Sequence, residues 1–167
     1  MDIVIRRADP VTDSQDISNL IEICRSERRT ILNSYSPQAE EAYIKNLSDS
    51  EAVFVATVDG SFAGFAGVSR RWPYIDRSSH CAEFGTWMMP MYRGRGVGKA
   101  LWMRGVFPWC RGKGYTHLGS TVMAHNTDSI GFYESLGFHV CGYHRKTVDW
   151  DGELLDSVEI EMILTPR

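Results

Sequence analysis

The sequence predicts one mixed α/β domain in which hairpins are interspersed with helices, rather than a regular β-α-β series. Its 167 residues suffice for a single domain with its own core. β-rich runs flank Asp59-Gly60, a two-residue hairpin signal. A third observation is the glycine-rich stretch "RGRGVGK", which lies between a strand pattern and a helix pattern. No repeat or linker divides the chain.

The first half alternates strand and helix signals. "DIVIRRA" is a strand candidate, and "TDSQDISNLIEICRSER" follows with apolar residues at helical spacing. Ser36 is a typical helix cap, and Pro37 occupies the first helical position, so a second helix should begin there. "AVFVATV" and "SFAGFAGVS" form the hairpin around Asp59-Gly60.

The second half begins with a loop, "RRWPYIDRSSH", before the strand "CAEFGTWMM". A helix is expected from about Gly96, weakened or bent by Gly105 and Pro108. "YTHLGSTVMAHN" is predicted to be a strand, and "TDSIGFYESLGF" a short helix closed by Gly137. Two strands around the turn "DWDGE" complete the domain.

Composition narrows the functional class. The net charge of -3 does not suit a general nucleic-acid binder. Cys24, Cys81, Cys110 and Cys141 show no metal-binding spacing and are predicted to be reduced core thiols. Neither a signal peptide nor a membrane-spanning run is apparent. We therefore expect a cytoplasmic protein without metal, nucleic-acid or membrane partners.

The glycine-rich stretch fits neither common nucleotide motif. Only three residues separate Gly94 from Gly98, and no Ser or Thr follows Lys99, so it is not a Walker loop. The GxGxG spacing also differs from the dinucleotide pattern GxGxxG. Amides at a helix start, with Arg93 and Arg95 nearby, instead predict a diphosphate site. The alternative is a tight turn with solvated arginines.

Two motifs together resemble the GNAT N-acetyltransferases. "RGRGVGKAL" is similar to the Q/R-x-x-G-x-G/A signature of that family. "NTDSIGFYESLGF" resembles its Asn-x-x-(Ser/Ala)-Ile-x-hydrophobic-Tyr-x-x-x-Gly-Phe segment. The resemblance is clearest from about Val53 to Phe138 and extends to both ends of the chain. The C-terminal half is similar to the branch that acts on small amines and amino-acid-like compounds, including phosphinothricin acetyltransferases.

The resemblance implies a fold and a cofactor. The fold is a mixed, mostly antiparallel sheet of about seven strands, splayed after its fourth strand and flanked by about four helices. The cofactor is acetyl-CoA. Its pantetheine would pair with main-chain groups of Thr86, Trp87 and Met88. The residues expected at its pyrophosphate are Arg93, Gly94, Arg95, Gly96, Val97, Gly98 and Lys99, and those expected at the cofactor arm are Asn126 and Ser129.

The resemblance also assigns the chemistry. Tyr133 matches the family's general acid for the departing thiolate, although a core tyrosine would show the same pattern. An attacking amine must lose a proton, and Glu83, on the strand before the glycine loop, is the candidate base. An ordinary strand glutamate is the alternative. His125 is a reserve base candidate, although a packed or solvated histidine fits better.

Acceptor recognition is left open by the sequence. Candidate pocket residues are Arg28, Tyr35, Trp72 and Tyr74, each of which also fits a solvated loop. Arginines would suit an acceptor carboxylate, whereas the acidic turn "DWDGELLD" would suit a polyamine.

The predicted function is acetyl transfer to a primary amine of a small molecule by direct attack in a ternary complex. Two alternatives remain: acetylation of a protein or peptide amine, and a non-catalytic acyl-CoA-binding regulatory domain. A homodimer is possible, and Trp102, Trp109 and Trp150 would fit its interface, a core or a pocket equally well.

Overall fold

The computed structural model describes residues 1–165, and these form one mixed sheet of seven strands. Its spatial order is β1-β2-β3-β4-β5-β7-β6. Every neighbouring pair is antiparallel except β4 and β5, which run parallel. The strands are β1 Ile3–Arg7, β2 Ala52–Val58, β3 Ser61–Arg70, β4 Cys81–Met88, β5 His117–Met123, β6 His139–Trp150 and β7 Glu153–Ile163.

Helices cover both faces of this sheet. They are α1 Ser14–Ser26, α2 Pro37–Lys45, α3 Val97–Leu101, α4 Phe107–Gly112 and α5 Thr127–Ser135. The first two pack on one face against Val53, Val55 and Phe65. The others enclose a second core on the opposite face, around Trp102 and Phe84. The mixed sheet with helices on both faces confirms the predicted fold class.

Local sequence signals act as expected at three element ends. The Ser36 hydroxyl accepts from the Ala39 amide at 3.1 Å and caps α2. Asp59 and Gly60 both have positive φ, 50° and 83°, as a type I′ hairpin turn requires. Gly137 follows α5 with φ of 100°, a conformation that stops a helix.

The helix after the glycine loop is distorted where the sequence predicted. Residues Trp102–Val106 form a π-helical segment that joins α3 to α4, so the two run as one helix. Pro108 lacks the amide that would continue the α-helical ladder. A Cβ at Gly105 would lie 2.9 Å from the Ile5 side chain, so glycine lets this segment approach β1 closely.

The sheet opens between β4 and β5. Their pairing covers only Cys81 to Glu83 on β4 and His117 to Gly119 on β5. Just beyond it, the Ser120 hydroxyl donates to the Phe84 carbonyl at 2.6 Å. The rest of β4 therefore has a free edge, and the predicted splay after the fourth strand is confirmed.

One sequence expectation needs correction. Cys24, Cys81 and Cys110 are buried free thiols, but Cys141 is exposed because it lies on the edge strand β6. Of the three places that the sequence left open for Trp102, its complete burial selects the core. Within residues 1–165, no helix is long and apolar enough to cross a membrane.

Candidate active site

The free edge of β4 presents alternate main-chain groups to the gap. The Met89 amide donates to Ala63 of β3 at 2.9 Å, and the Phe84 carbonyl faces β5. Because main-chain groups alternate along a strand, those of Thr86 and Met88 face the gap. Those of Trp87 are directed to β3, opposite Phe65. Of the three main-chain partners expected for a pantetheine, the register therefore leaves Thr86 and Met88.

Tyr133 projects from α5 into the core beside this edge. Its side chain is 5% exposed and packs against Phe84 and Trp102, with ring centroids 5.2 and 6.0 Å away. Burial raises the pKa of its phenol to about 12, although hydrogen bonding to Thr86 partly offsets this. The phenol therefore keeps its proton throughout the neutral range and is available as a donor.

Thr86 joins this phenol to the core behind it. The Trp102 indole nitrogen donates to the Thr86 hydroxyl at 2.9 Å. Trp102 is itself fully enclosed. The position of Thr86, and with it the surroundings of Tyr133, is thus set by a rigid buried ring.

A cavity of about 570 Å³ lies between the sheet, α2 and the loop from α1 to α2. Tyr133 and Thr86 line one side of it. Gly67 of β3 and Gly85 of β4 are paired opposite each other and lie on its floor. A Cβ at Gly67 would meet nothing within 4 Å, so the missing side chain leaves open space. The exposed side chain of Glu83 is at the same cavity.

Trp87 forms another wall. Its indole lies across Gly85, where a Cβ would be only 2.1 Å from the ring. The ring stacks on Phe65 with centroids 4.6 Å apart, and its nitrogen donates to the Thr30 hydroxyl at 3.1 Å. Glycine at position 85 therefore allows the tryptophan to fold back and hold the α1–α2 loop.

The same loop is anchored at the start of α5. Asn126 accepts from the Ser129 amide at 3.3 Å, which caps α5, and its side-chain amide donates to the Arg29 carbonyl at 3.2 Å. His125 bonds to the Arg28 carbonyl at 2.8 Å. His125 does not line the cavity, and its contact with Arg28 positions the loop.

The acceptor candidates from the sequence separate into two groups. Tyr35 lines the cavity. Trp72 and Tyr74 do not, and Tyr74 is 98% exposed. The Arg28 guanidinium does not line the cavity and pairs with Glu153 at 2.6 Å. Of these four, the structure thus brings only Tyr35 to the cavity.

Sequence reasoning missed Glu40 at this site. Glu40 lies on α2, lines the cavity and is only 9% exposed. Burial raises the pKa of its carboxyl group. A signal was present, since Glu40 precedes the buried Ile44 by one helical turn and so lies on the inward face of α2.

The glycine loop meets the gap at the end of β4. Gly94 and Gly96 have φ of 69° and 82°, and open space surrounds their missing side chains. Gly98 has a different reason, since a Cβ there would lie 3.0 Å from Phe132. In the part of the chain that the structure describes, amides from Gly94 to Lys99 donate no hydrogen bond. They form a set of free donors for an anion.

The three cations around this loop are not equivalent. Arg93 donates to Glu27 at 2.7 Å and to the Met88 carbonyl at 2.9 Å, and its amide bonds to Pro90. Arg93 therefore ties the loop to α1 and is not free for a phosphate. Arg95 and Lys99 are exposed beside the free amides.

The fold and this site define an acetyltransferase of the GNAT class. The model described as the acetyltransferase (GNAT) family matches residues 16–138, which is most of the chain, so the chain belongs to this family. Among residues 1–165, no group of His, Cys, Asp and Glu side chains could hold a metal ion.

Known proteins show what this chain is similar to. It is 35% identical over 94 residues to an aminoglycoside N(6')-acetyltransferase type 1 of Salmonella typhimurium. That alignment covers 54% of this chain and 64% of the relative, so the chain matches less than two thirds of that protein.

Two solved structures share the fold. A phosphinothricin acetyltransferase from Sinorhizobium meliloti, in complex with AcCoA, has a TM-score of 0.82 at 21% identity, covering 98% of this chain and 89% of that one. A ribosomal-protein-alanine N-acetyltransferase from Brucella melitensis has 0.85 at 22%, covering 96% and 99%. Because proteins named for small-molecule and protein acceptors both match, the fold alone does not identify the acceptor.

Proposed function

We propose that this protein is an acetyl-CoA-dependent N-acetyltransferase that acts on a primary amine of a small molecule by direct attack in a ternary complex. The observation that carries the proposal is the meeting of three features at one gap in the sheet. These are the free edge of β4, a protonated buried phenol at Tyr133, and an adjoining cavity with a carboxylate at Glu83.

The residues present fit acetyl-CoA. Free amides from Gly94 to Lys99 suit a pyrophosphate, and the positive φ of Gly94 and Gly96 orients them without side chains in the way. The gap-facing groups of Thr86 and Met88 suit an extended chain with amide groups, which would add to the sheet like a strand. Ser129 and Asn126 line the cavity nearby.

The bound cofactor supplies an acetyl group as a thioester. Glu83 accepts the proton of the incoming ammonium, directly or through water, so that a neutral nitrogen can form the new C–N bond. The Met88 amide donates to the acetyl oxygen as negative charge develops on it. Tyr133 donates to the sulfur as the C–S bond breaks, which stabilises the leaving thiolate.

Similarity to named enzymes supports a small-molecule acceptor. The curated relative is named for aminoglycosides, and one structural neighbour is named for phosphinothricin. The cavity is lined largely by apolar and aromatic residues, including Tyr35, Tyr43 and Trp87. Such a lining is typical of sites that enclose small ligands. The free thiols support the cytoplasm as the location. The homodimer stays a prediction.

Free-thiol release from acetyl-CoA tests the proposal. The panel would contain aminoglycosides, phosphinothricin-like compounds, polyamines, amino acids and short peptides. Release that depends on a small amine supports the proposal. Release with peptides alone would show that the acceptor is a protein or peptide amine. Bound acetyl-CoA without release for any amine would indicate a non-catalytic domain. In the same assay, Tyr133→Phe should slow thiol release while acetyl-CoA still binds. Tyr143→Phe is the matched control, because Tyr143 is 60% exposed on β6.

A further inference from the structure

Glu40 is a buried carboxylate without a partner. It is 9% exposed and lines the cavity, and within residues 1–165 no donor forms a hydrogen bond with its side chain. Burying a carboxylate is unfavourable unless it is paired. An ionised carboxylate accepts hydrogen bonds but cannot donate them. Its carboxylate oxygens are accessible from the cavity, so a donor that enters the cavity can pair with them.

The charges of the cavity favour a cationic donor. Its charged lining residues are Arg29, Glu40 and Glu83. The Arg29 guanidinium is already paired with Asp128 at 2.9 Å and lies 3.7 Å from Glu27. The cavity is thus left with two carboxylates and no free cation of its own.

Aromatic side chains add to this preference. Tyr35 and Tyr43 line the cavity on the side of α2 and the α1–α2 loop, and Trp87 lines it on the side of the sheet. Aromatic faces attract ammonium groups, most strongly where water is excluded. A ligand with ammonium groups on an apolar skeleton matches this lining better than an anionic or neutral polar ligand.

The two carboxylates cannot serve the same nitrogen equally well. Glu83 is on β4, the strand whose Thr86 and Met88 groups face the gap, whereas Glu40 is on the helix wall. The reacting amine must become neutral before it attacks, but an ammonium bound by a buried carboxylate stays protonated. We propose that Glu40 binds a second ammonium group of the acceptor, so that the cavity selects diamines or polyamines over monoamines. This deepens the proposed function and rests on it.

Direct binding tests the site without catalysis. Calorimetry on the CoA-saturated protein would measure the binding of the diamines from diaminopropane to diaminohexane. Each diamine would be compared with the n-alkylamine of the same length. We expect at least one diamine to bind more tightly than its monoamine. Glu40→Gln should raise the Kd for that diamine about 30-fold and leave the Kd for the monoamine unchanged. Glu41→Gln is the matched control, because Glu41 is the next residue of α2 but pairs with Lys45 and does not line the cavity.

Turnover distinguishes this inference from the proposed function. Glu40→Gln should raise KM for the diamine and leave kcat nearly unchanged. A fall in kcat with n-alkylamines would mean that Glu40 acts on the reacting amine, which overturns the inference. Transfer to amines without any preference for diamines also overturns it. If no amine is acetylated but the Glu40-dependent preference in binding remains, the proposed function fails and the second ammonium site stands.

A second variant guards against a folding defect. Glu40→Leu removes the charge with an apolar side chain of similar size, which is often neutral or stabilising at a buried site. Both Glu40 variants should lose the preference for diamines, and their Tm should be equal to or higher than that of the unchanged protein. Loss of the preference together with a large fall in Tm in both variants would assign Glu40 a structural role instead.

Discussion

Replacing Tyr133 with phenylalanine removes one hydroxyl and leaves the aromatic packing against Phe84 and Trp102 in place. The leaving thiolate corresponds to a thiol with a pKa of about 8.5. Because burial raises the pKa of Tyr133 to about 12, complete proton transfer to the sulfur would be uphill by about 5 kcal/mol. We therefore expect Tyr133 to act mainly by donating a hydrogen bond in the transition state.

Loss of such a group costs about 100-fold or more in rate, equivalent to about 2.7 kcal/mol of the activation barrier. Tyr133→Phe should therefore lower kcat by that factor and leave the Kd for acetyl-CoA almost unchanged. Stopped-flow thiol release gives the rate, and calorimetry gives the affinity. A kcat within about threefold of the unchanged protein would refute the donor role, provided that Tyr143→Phe behaves normally.

Three further predictions concern the cavity and the core. Gly67→Val should fill the open floor of the cavity, raising KM for the amine without changing the Kd for acetyl-CoA, as paired titrations would reveal. Gly98→Val should lower the free energy of unfolding by about 1–3 kcal/mol in denaturant melts, because its Cβ would press on Phe132; an unchanged midpoint would contradict the close approach. Burial raises the pKa of Glu40, so the folded protein binds its proton more tightly than the unfolded chain. Its contribution to the free energy of unfolding therefore falls as pH rises from the pKa of a free glutamate to the pKa in the folded protein. The stability of Glu40→Gln relative to the unchanged protein should therefore be higher at about pH 8 than at about pH 4, as melts at both pH values would show.

Signals carried by neighbouring residues were sufficient for much of the fold. The cap at Ser36, the turn at Asp59-Gly60 and the stop at Gly137 each depend on backbone geometry within a few residues. The π-helical segment just before Pro108 is local in the same way. Family motifs added what local signals lack, namely a mixed, mostly antiparallel sheet of about seven strands and its splay after β4.

The acceptor side was less accessible to sequence reasoning because its contacts join distant parts of the chain. Trp87 bonds to Thr30 across 57 positions, and Arg93 reaches Glu27 across 66. Neither pairing leaves a local pattern. Trp72 is chemically suitable for a pocket, but the path of its loop carries it away from the cavity. The only sequence signal for the burial of Glu40 is the position of this charged residue on the apolar face of α2.

The double anchoring by Asn126 has a consequence for how this protein can change over evolution. One side chain both caps the helix that carries Tyr133 and holds the Arg29 carbonyl of the loop over the amine cavity. A substitution that reshapes this loop for a new acceptor therefore also disturbs Asn126, which caps the helix that carries Tyr133. We expect the range of acceptors to change first through substitutions remote from Asn126. Gly67 on the floor of the cavity is such a position, because space there can be filled without disturbing Tyr133.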